Sequence, residues 1–129
     1  MERIDFFEPA DVKSQPLRPK ASIHKSGKLG FDSDANEFMG LRSGHEFLVG
    51  YGNEGPTEKL ILLDAEEDDP EVSKISVAKA GEYYYLNLRN FFDKYEVDYE
   101  NCKIRYDIAR ARYEGREGYV LDQRVRKER

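Results

Sequence analysis

Histidine and cysteine carry much of the metal and nucleophilic chemistry of proteins, and this sequence has few of them. His24 and His45 are its two histidines, and Cys102 is its single cysteine. A zinc site needs about four suitably spaced ligands, and a cysteine nucleophile needs a neighbour that lowers its pKa. Neither histidine stands in a motif with Cys102. The sequence therefore predicts no catalytic residue, no metal ligand and no cofactor, and we expect a protein that is not an enzyme.

Carboxylates are concentrated in the run DAEEDDPE at residues 64–71. Carboxylate oxygens bind Ca²⁺, but this run lacks the alternating ligands and the central glycine of an EF-hand loop. A dense acidic run has little apolar surface to bury and is typical of a solvated connection. We interpret residues 64–74 as an acidic linker between two halves of the chain.

Basic residues lie mostly in the second half. Residues 75–129 contain 12 basic and 10 acidic residues, whereas residues 64–74 contain one basic and six acidic residues. The net charge of −5 disfavours strong non-specific binding to nucleic acid or an anionic membrane, because the long-range Coulomb interaction is repulsive. We expect no membrane association, and we interpret residues 123–129 as a basic tail.

Tyrosines are the third group that could bind a partner, and eight of the nine lie beyond residue 80. Tyr83, Tyr84 and Tyr85 are consecutive, so in a strand two of them share one face and one lies on the other. We predict that Tyr83 and Tyr85 belong to the core and that Tyr84 faces outward. Because exposed tyrosine favours binding surfaces, Tyr84 is the candidate contact for a protein partner.

The composition indicates one small domain with a strongly solvated surface. A hydrophobic share of 39% in 129 residues can fill a modest core, and a charged share of 36% exceeds the ~25% usual for soluble domains. The opening residues MERIDFFEPA contain no apolar signal segment. A lone cysteine agrees with a reducing compartment, so we expect a cytoplasmic protein.

The elements that position these residues begin after a proline-rich segment. Pro9, Pro16 and Pro19 fix φ and predict an extended N-terminal arm over residues 1–20. Residues 21–63 then predict a hairpin, a short helix and a second hairpin. The helix has Asp32 or Ser33 as its N-cap and ends at Gly40, and the apolar residues on both sides of it alternate as in strands.

Residues 75–122 repeat that order of hairpin, short helix and hairpin. Ile104, Tyr106 and Ile108 alternate as in a strand, although Ile104, Ile108 and Ala111 also have helical spacing. We prefer the strand and leave residues 103–113 open between the two. The predicted fold class is α+β and mostly β, with two similar units packed as a pseudo-twofold, barrel-like domain.

The segment KSGKLGF, a helix ending in Gly-Leu and the segment RSGHEFLV resemble the swapped-hairpin unit of the AbrB/MazE family. The resemblance covers residues 21–63 well and residues 75–122 loosely. The matching positions are Lys25, Gly27, Lys28, Leu29, Phe31, Met39, Gly40, Leu41, Gly44 and Phe47. Members of that family interleave the strands of two chains, so the resemblance implies that two units in one chain form a monomer or a weak dimer.

The resemblance also implies DNA binding by a basic face near the first strand and the start of the helix. Carried over position by position, it leaves four candidate phosphate contacts, which are Lys25, Lys28, Lys79 and Arg89. The sequence departs from the family where residues 32–34, DSD, replace the usual proline, because these acids repel phosphate.

Two functions follow as expectations. The leading one is a non-enzymatic small binding or adaptor protein with a protein partner. The alternative is an AbrB-like DNA-binding transcriptional regulator.

Overall fold

The computed structural model describes residues 16–129, so most of the expected arm over residues 1–20 lies outside the described residues. Strands make up 53% of the structure and helices 14%, which confirms the expectation of a mostly β fold. The strands form a single antiparallel sheet that curls into a nearly closed barrel. Neither α-helix within residues 16–129 is long and apolar enough to cross a membrane.

The described residues form nine strands, two short α-helices and one 3₁₀ turn. In chain order they are β1 (Lys20–Ile23), β2 (Lys28–Phe31), α1 (Ser33–Met39), β3 (Glu46–Gly52), β4 (Gly55–Asp64), a 3₁₀ turn (Glu71–Ser73), β5 (Ile75–Ser76), β6 (Ala78–Ala80), β7 (Tyr83–Asn87), α2 (Arg89–Lys94), β8 (Cys102–Tyr113) and β9 (Arg116–Glu128).

The strand order explains why the barrel is nearly closed. The order across the sheet is β5-β3-β4-β9-β8-β1-β2-β7-β6, so β5 and β6 lie at opposite ends of it. In the chain these two strands are separated by Val77 alone, whose N–H donates to the carbonyl oxygen of His45 at 2.7 Å. The segment 75–80 therefore contains both edge strands of the sheet and connects its two ends.

Local chemistry accounts for both ends of α1, but α2 begins without a side-chain cap and ends before a residue with positive φ. The carboxylate of Asp32 accepts the N–H of Ala35 at 2.8 Å and so caps α1, and Gly40 follows α1 with φ 60°. Glu96 follows α2 with φ 55°, although a left-handed conformation is costly for a residue with a side chain. After this turn the N–H of the buried Val97 donates to the carbonyl oxygen of Phe92 at 2.9 Å, so the left-handed residue allows a backbone hydrogen bond that closes the helix end.

The core lies inside the barrel and includes alternate residues of β8. Ile104, Tyr106 and Ile108 are all buried, which confirms that residues 103–113 form a strand rather than a helix. The hydroxyl of Tyr106 donates to the carbonyl oxygen of Thr57 at 2.7 Å. This hydrogen bond satisfies two polar groups that are both cut off from water.

The prediction that residues 123–129 form a basic tail is wrong. Residues 123–128 belong to β9, which pairs with β8 as far as Glu128 opposite Cys102. Backbone pairing makes this segment a strand despite its charge. Its charged side chains remain exposed to solvent, while its N–H and C=O groups form hydrogen bonds within the sheet. Arg129 continues the contact, since its N–H donates to the carbonyl oxygen of Asn101 at 2.8 Å.

The acidic linker is less solvated than its composition indicated. Arg116 at the start of β9 forms ion pairs with Asp69 at 2.7 Å and Glu66 at 3.2 Å. Its guanidinium also donates to the carbonyl oxygen of Asp64 at 2.9 Å. The hydrogen bonds from Arg116, followed by the N–H of Glu66, lower the pKa of Asp69. The first part of the linker is therefore anchored to the β8–β9 hairpin.

Candidate ligand-binding groove

Three of the four predicted phosphate contacts lie around one turn. Lys25 is exposed in the turn between β1 and β2, and Lys28 begins β2. Gly27 lies between them with φ 86°, and a Cβ there would come 2.7 Å from the Cα of Arg89. The N–H of Leu88 donates to the carbonyl oxygen of Gly27 at 3.2 Å. The turn therefore packs on the start of α2 and brings Lys25 and Lys28 close to Arg89.

The fourth predicted contact, Lys79, lies on a different strand. It belongs to β6, and its register partner is Tyr84 on β7. Its Nζ lies 5.4 Å from the centroid of the Tyr84 ring, so the ammonium group of Lys79 makes a cation–π contact with Tyr84. The structure therefore does not place Lys79 with the β1–β2 turn.

The predicted orientation of the three tyrosines is wrong. Leu86 of β7 is fully buried opposite Leu29, and Tyr84 shares its face because side chains alternate along a strand. Tyr84 is half-buried and packs against the core. Tyr83 and Tyr85 lie on the outer face, with ring centroids 6.0 Å apart. The inward position of Tyr84 removes the reason for assigning it to partner binding.

The outer face of the sheet contains a groove whose floor consists of small residues. On β1, Ser22 lies opposite Arg105 of β8 on one side and opposite Gly30 of β2 on the other. Gly30 in turn lies opposite Tyr85 of β7. Because residues directly opposite each other share a face, a long side chain stands at each end of this row and two small residues lie between.

Tyr83 extends across this row toward β1. Its hydroxyl hydrogen-bonds Nε2 of His24, and the two rings meet edge to face with centroids 5.4 Å apart. A Cβ at Gly30 would overlap the Tyr83 hydroxyl. The glycine in the middle of β2 is therefore what allows the tyrosine to lie across that strand.

Two adjoining depressions form the groove. The first has a volume of about 400 Å³ and the second about 520 Å³, and Ser22 and His24 line both. Each is within the ~300–1,000 Å³ range of small-ligand sites. We call the two together the β1 groove. The charged residues that line it are Lys20, Lys25, Asp32, Lys103, Arg105 and Arg129.

Positive charge dominates the β1 groove, since five of these six charged side chains are cations. Its one carboxylate, Asp32, accepts the N–H groups of Ala35 and Lys20. Lys20 itself pairs with Asp107 at 2.8 Å. Within residues 16–129, Lys25, Lys103 and Arg105 have no ion-pair partner. The groove is therefore suited to an anionic ligand.

His24 lies at the boundary between the two depressions and responds to the surrounding charge. Burial, followed by the positive charges of Arg129 and Lys28, lowers the pKa of its imidazole from the ordinary value of 6.5. An anion in the groove would oppose these charges, because it stabilises the imidazolium form.

His45 lies in a separate cluster at the start of β3. Its Nε2 is 2.8 Å from a carboxylate oxygen of Asp64, and its ring stacks on Phe47 with centroids 4.3 Å apart. Both contacts hold the imidazole against the β3–β4 hairpin. In the part of the chain that the structure describes, no group of three or more His, Cys, Asp or Glu residues is arranged to hold a metal ion.

Sequence reasoning identified Lys25 but missed Ser22, Gly30, Tyr83 and Arg105 as residues of one groove. One signal was present, because a glycine inside a strand pattern often marks a close approach of another group. Gly30 in KLGF is such a glycine. The approach of β8 to β1 depends on long-range pairing, for which the local pattern contains no signal.

No protein-family model matches this chain, and neither a curated protein nor a solved structure matches it at a significant level.

Proposed function

We propose that this protein is a non-enzymatic binding protein and that the β1 groove binds an anionic ligand. The observation that carries this proposal is the charge of the groove, which five cations and one carboxylate line. Charge of one sign in a concave surface raises the local concentration of ligands of the opposite sign. The chain as a whole carries −5, so the local positive charge is not a consequence of overall composition.

The pairing of β8 with β9 supports the same proposal. Lys103 lies directly opposite Lys127, and like charges at facing positions of antiparallel strands repel each other. Within residues 16–129 neither lysine has an ion-pair partner. An anion bound beside Lys103 would offset this repulsion, so the groove is more stable with the ligand than without it.

Calorimetric titration with inorganic polyphosphate at low salt tests the proposal. Arg105→Gln removes from the groove a cation without an ion-pair partner in residues 16–129, and we expect about 10- to 100-fold weaker binding because a hydrogen bond to a charged group contributes about 1.5–3 kcal/mol. Arg112→Gln is the matched control, since Arg112 is an exposed arginine of the same strand that pairs with Glu117 instead. Equal affinities of the wild type and both variants, or no binding by the wild type, would contradict the proposal.

We also propose the finer architecture, in which two similar units are related by a pseudo-twofold axis. Exchanging the halves maps the β1–β2 pairing onto β6–β7 and the β3–β4 pairing onto β8–β9. The β2–β7 and β4–β9 pairings join the halves. Gly40 and Glu96 end the two helices with φ 60° and 55°. These pairings support the interpretation as a tandem AbrB-like repeat.

The second candidate function is an AbrB-like regulator that binds duplex DNA. The observation that favours it is the packing of the Gly27 turn on Arg89, which brings Lys25, Lys28 and Arg89 to one end of the barrel. A gel-shift titration with mixed-sequence duplex tests it. Lys25→Gln combined with Arg89→Gln should abolish retardation, while Lys79→Gln tests whether the separate lysine contributes. The absence of retardation at high micromolar wild-type protein would remove this candidate.

A further inference from the structure

We infer that the ligand of the β1 groove is a nucleotide, either free or as one unit of a single-stranded nucleic acid, with its base beside Tyr83 and its phosphate beside Lys103. This inference rests on the proposed anion-binding function and adds the chemical class of the ligand. It follows from the unequal composition of the two depressions.

The first depression has the chemistry of a base site. Its floor is Ser22 and Gly30, and Tyr83 and Arg105 stand among its lining residues. Aromatic rings and the planar guanidinium of arginine are the surfaces on which proteins stack unpaired bases. Asp32 also lines this depression, and a carboxylate accepts a hydrogen bond from an N–H group at a base edge, such as the N3–H of uracil. The first depression therefore offers a planar base two stacking surfaces, Tyr83 and Arg105, and one hydrogen-bond acceptor, Asp32.

The second depression has the chemistry of a phosphate site. Its charged lining residues are Lys25, Lys103 and Arg129, and none of its described lining residues is acidic. The Ser26 hydroxyl lines it too and can donate to a phosphate oxygen. The guanidinium of Arg129 donates to the carbonyl oxygens of Ile23 and Tyr99 at 2.8 Å and 3.1 Å, which fixes its position at the end of the groove.

The arrangement favours an unpaired base over duplex DNA. In a duplex the bases are stacked on one another, and the phosphates are the groups most accessible to a protein surface. The Tyr83 depression lies on the outer face of the sheet, between Arg105 of β8 and Tyr83 of β7, and a base that stays paired within a duplex cannot stack there. Stacking contributes to affinity only when the base leaves its own stack, as in a single strand or a free nucleotide.

Fluorescence anisotropy with a labelled oligo(U) strand tests the inference on the full chain. The comparison ligands are inorganic polyphosphate of equal charge, a duplex of equal length and free UMP as a competitor. Tyr83→Leu removes the stacking ring, and Tyr51→Leu is the matched control because Tyr51 is an exposed tyrosine elsewhere, beside Phe91 and Tyr95. Thermal unfolding of each variant verifies that it is folded, and the comparison of oligo(U) with polyphosphate on the wild type still tests base stacking if Tyr83→Leu does not fold.

We expect oligo(U) to bind more tightly than polyphosphate and duplex, and Tyr83→Leu to weaken oligo(U) binding about tenfold while weakening polyphosphate binding much less, since polyphosphate has no base to stack. Tyr51→Leu should bind like the wild type. Displacement of the strand by UMP at similar nucleotide concentration supports the same site with a free nucleotide as ligand. Equal affinities for oligo(U) and polyphosphate, unchanged by Tyr83→Leu, overturn the inference but leave anion binding intact. Failure to bind either ligand overturns both.

Discussion

At the scale of single residues, the interior contains one hydroxyl whose role is well defined. Tyr106 is fully buried and donates to the carbonyl oxygen of Thr57 at 2.7 Å. Burial raises the pKa of this phenol well above its ordinary value of 10.0. The hydroxyl therefore remains protonated and donates at every pH at which the protein would be studied.

Replacing Tyr106 by phenylalanine should lower the free energy of unfolding by about 1–2 kcal/mol, because the buried carbonyl of Thr57 loses its partner while the ring still fills its site. Urea denaturation measures the loss. Tyr51→Phe is the control, since Tyr51 is an exposed tyrosine and its substitution should change the stability little. A Tyr106→Phe variant as stable as the wild type would show that the hydrogen bond contributes nothing.

His24 should make anion binding depend on pH. Its pKa lies below 6.5 in the free protein, with burial as the largest cause, and a bound anion raises it. Binding then takes up a proton between these two pKa values, so affinity increases as the pH falls through this interval. Asp107 stays ionised throughout, because hydrogen bonds from Lys20 and Arg124 lower its pKa from 3.8.

Titration with polyphosphate from about pH 7.5 to about pH 5.5 measures this dependence, within the range in which histidine alone among unperturbed side chains changes charge. His24→Gln should bind with an affinity that is nearly constant over the interval. An equally steep pH dependence in His24→Gln would place the titrating group elsewhere.

At the scale of elements, the contact between β4 and β9 requires a residue without a side chain. Gly118 of β9 pairs with Leu63, and a Cβ at this position would overlap the carbonyl oxygen of Leu62. The overlap is with backbone, which cannot rotate away as a side chain can. The spacing between these two strands therefore depends on Gly118.

Gly118→Ala should destabilise the protein by about 1–3 kcal/mol, the usual cost of overpacking. Gly50→Ala is the matched control, because Gly50 also lies within a strand but a Cβ added to it would have no neighbouring atom within 4 Å. Thermal or urea unfolding of both variants tests the difference. Equal stability of the two variants would contradict the role assigned to Gly118.

The elements differ in how far the sequence predicts them. The Asp32 cap and the turns at Gly27 and Gly40 depend on residues close in the chain, so local chemistry was sufficient to predict them. The alternation of apolar residues predicted β8. For Tyr83–Tyr85 the sequence allows either Tyr84 alone or Tyr83 and Tyr85 together to face the core. The pairing of Leu86 with Leu29 on another hairpin turns Tyr84 inward. Long-range pairing also decides that residues 123–128 form a strand and that Arg105 lies beside Ser22.

At the scale of the whole molecule, neither half contains a complete sheet. The β2–β7, β4–β9 and β1–β8 pairings all join residues 16–63 to residues 75–129. Each half alone would expose unpaired strand edges and lose part of its core, and a small domain has little stability to spare. The β1 groove also requires both halves, since β1 and β2 form its floor while Tyr83 and Arg105 come from the second half.

We expect peptides of residues 16–63 and 75–129 to be unfolded as monomers and to regain strand content when mixed. Circular dichroism and proton NMR dispersion measure folding, and size-exclusion chromatography measures the oligomeric state. A monomeric fragment that unfolds cooperatively by itself would contradict the interdependence of the halves.

The most direct test of anion binding in the β1 groove is an NMR titration of the ¹⁵N-labelled protein with polyphosphate at low salt, because it locates the bound anion on the molecule. We predict that the largest amide shifts lie at Ser22, His24, Lys103 and Arg105, and that they diminish in Arg105→Gln. Shifts confined to other surfaces, such as that around Tyr51 and Phe91, or the absence of any shift, would contradict binding in this groove.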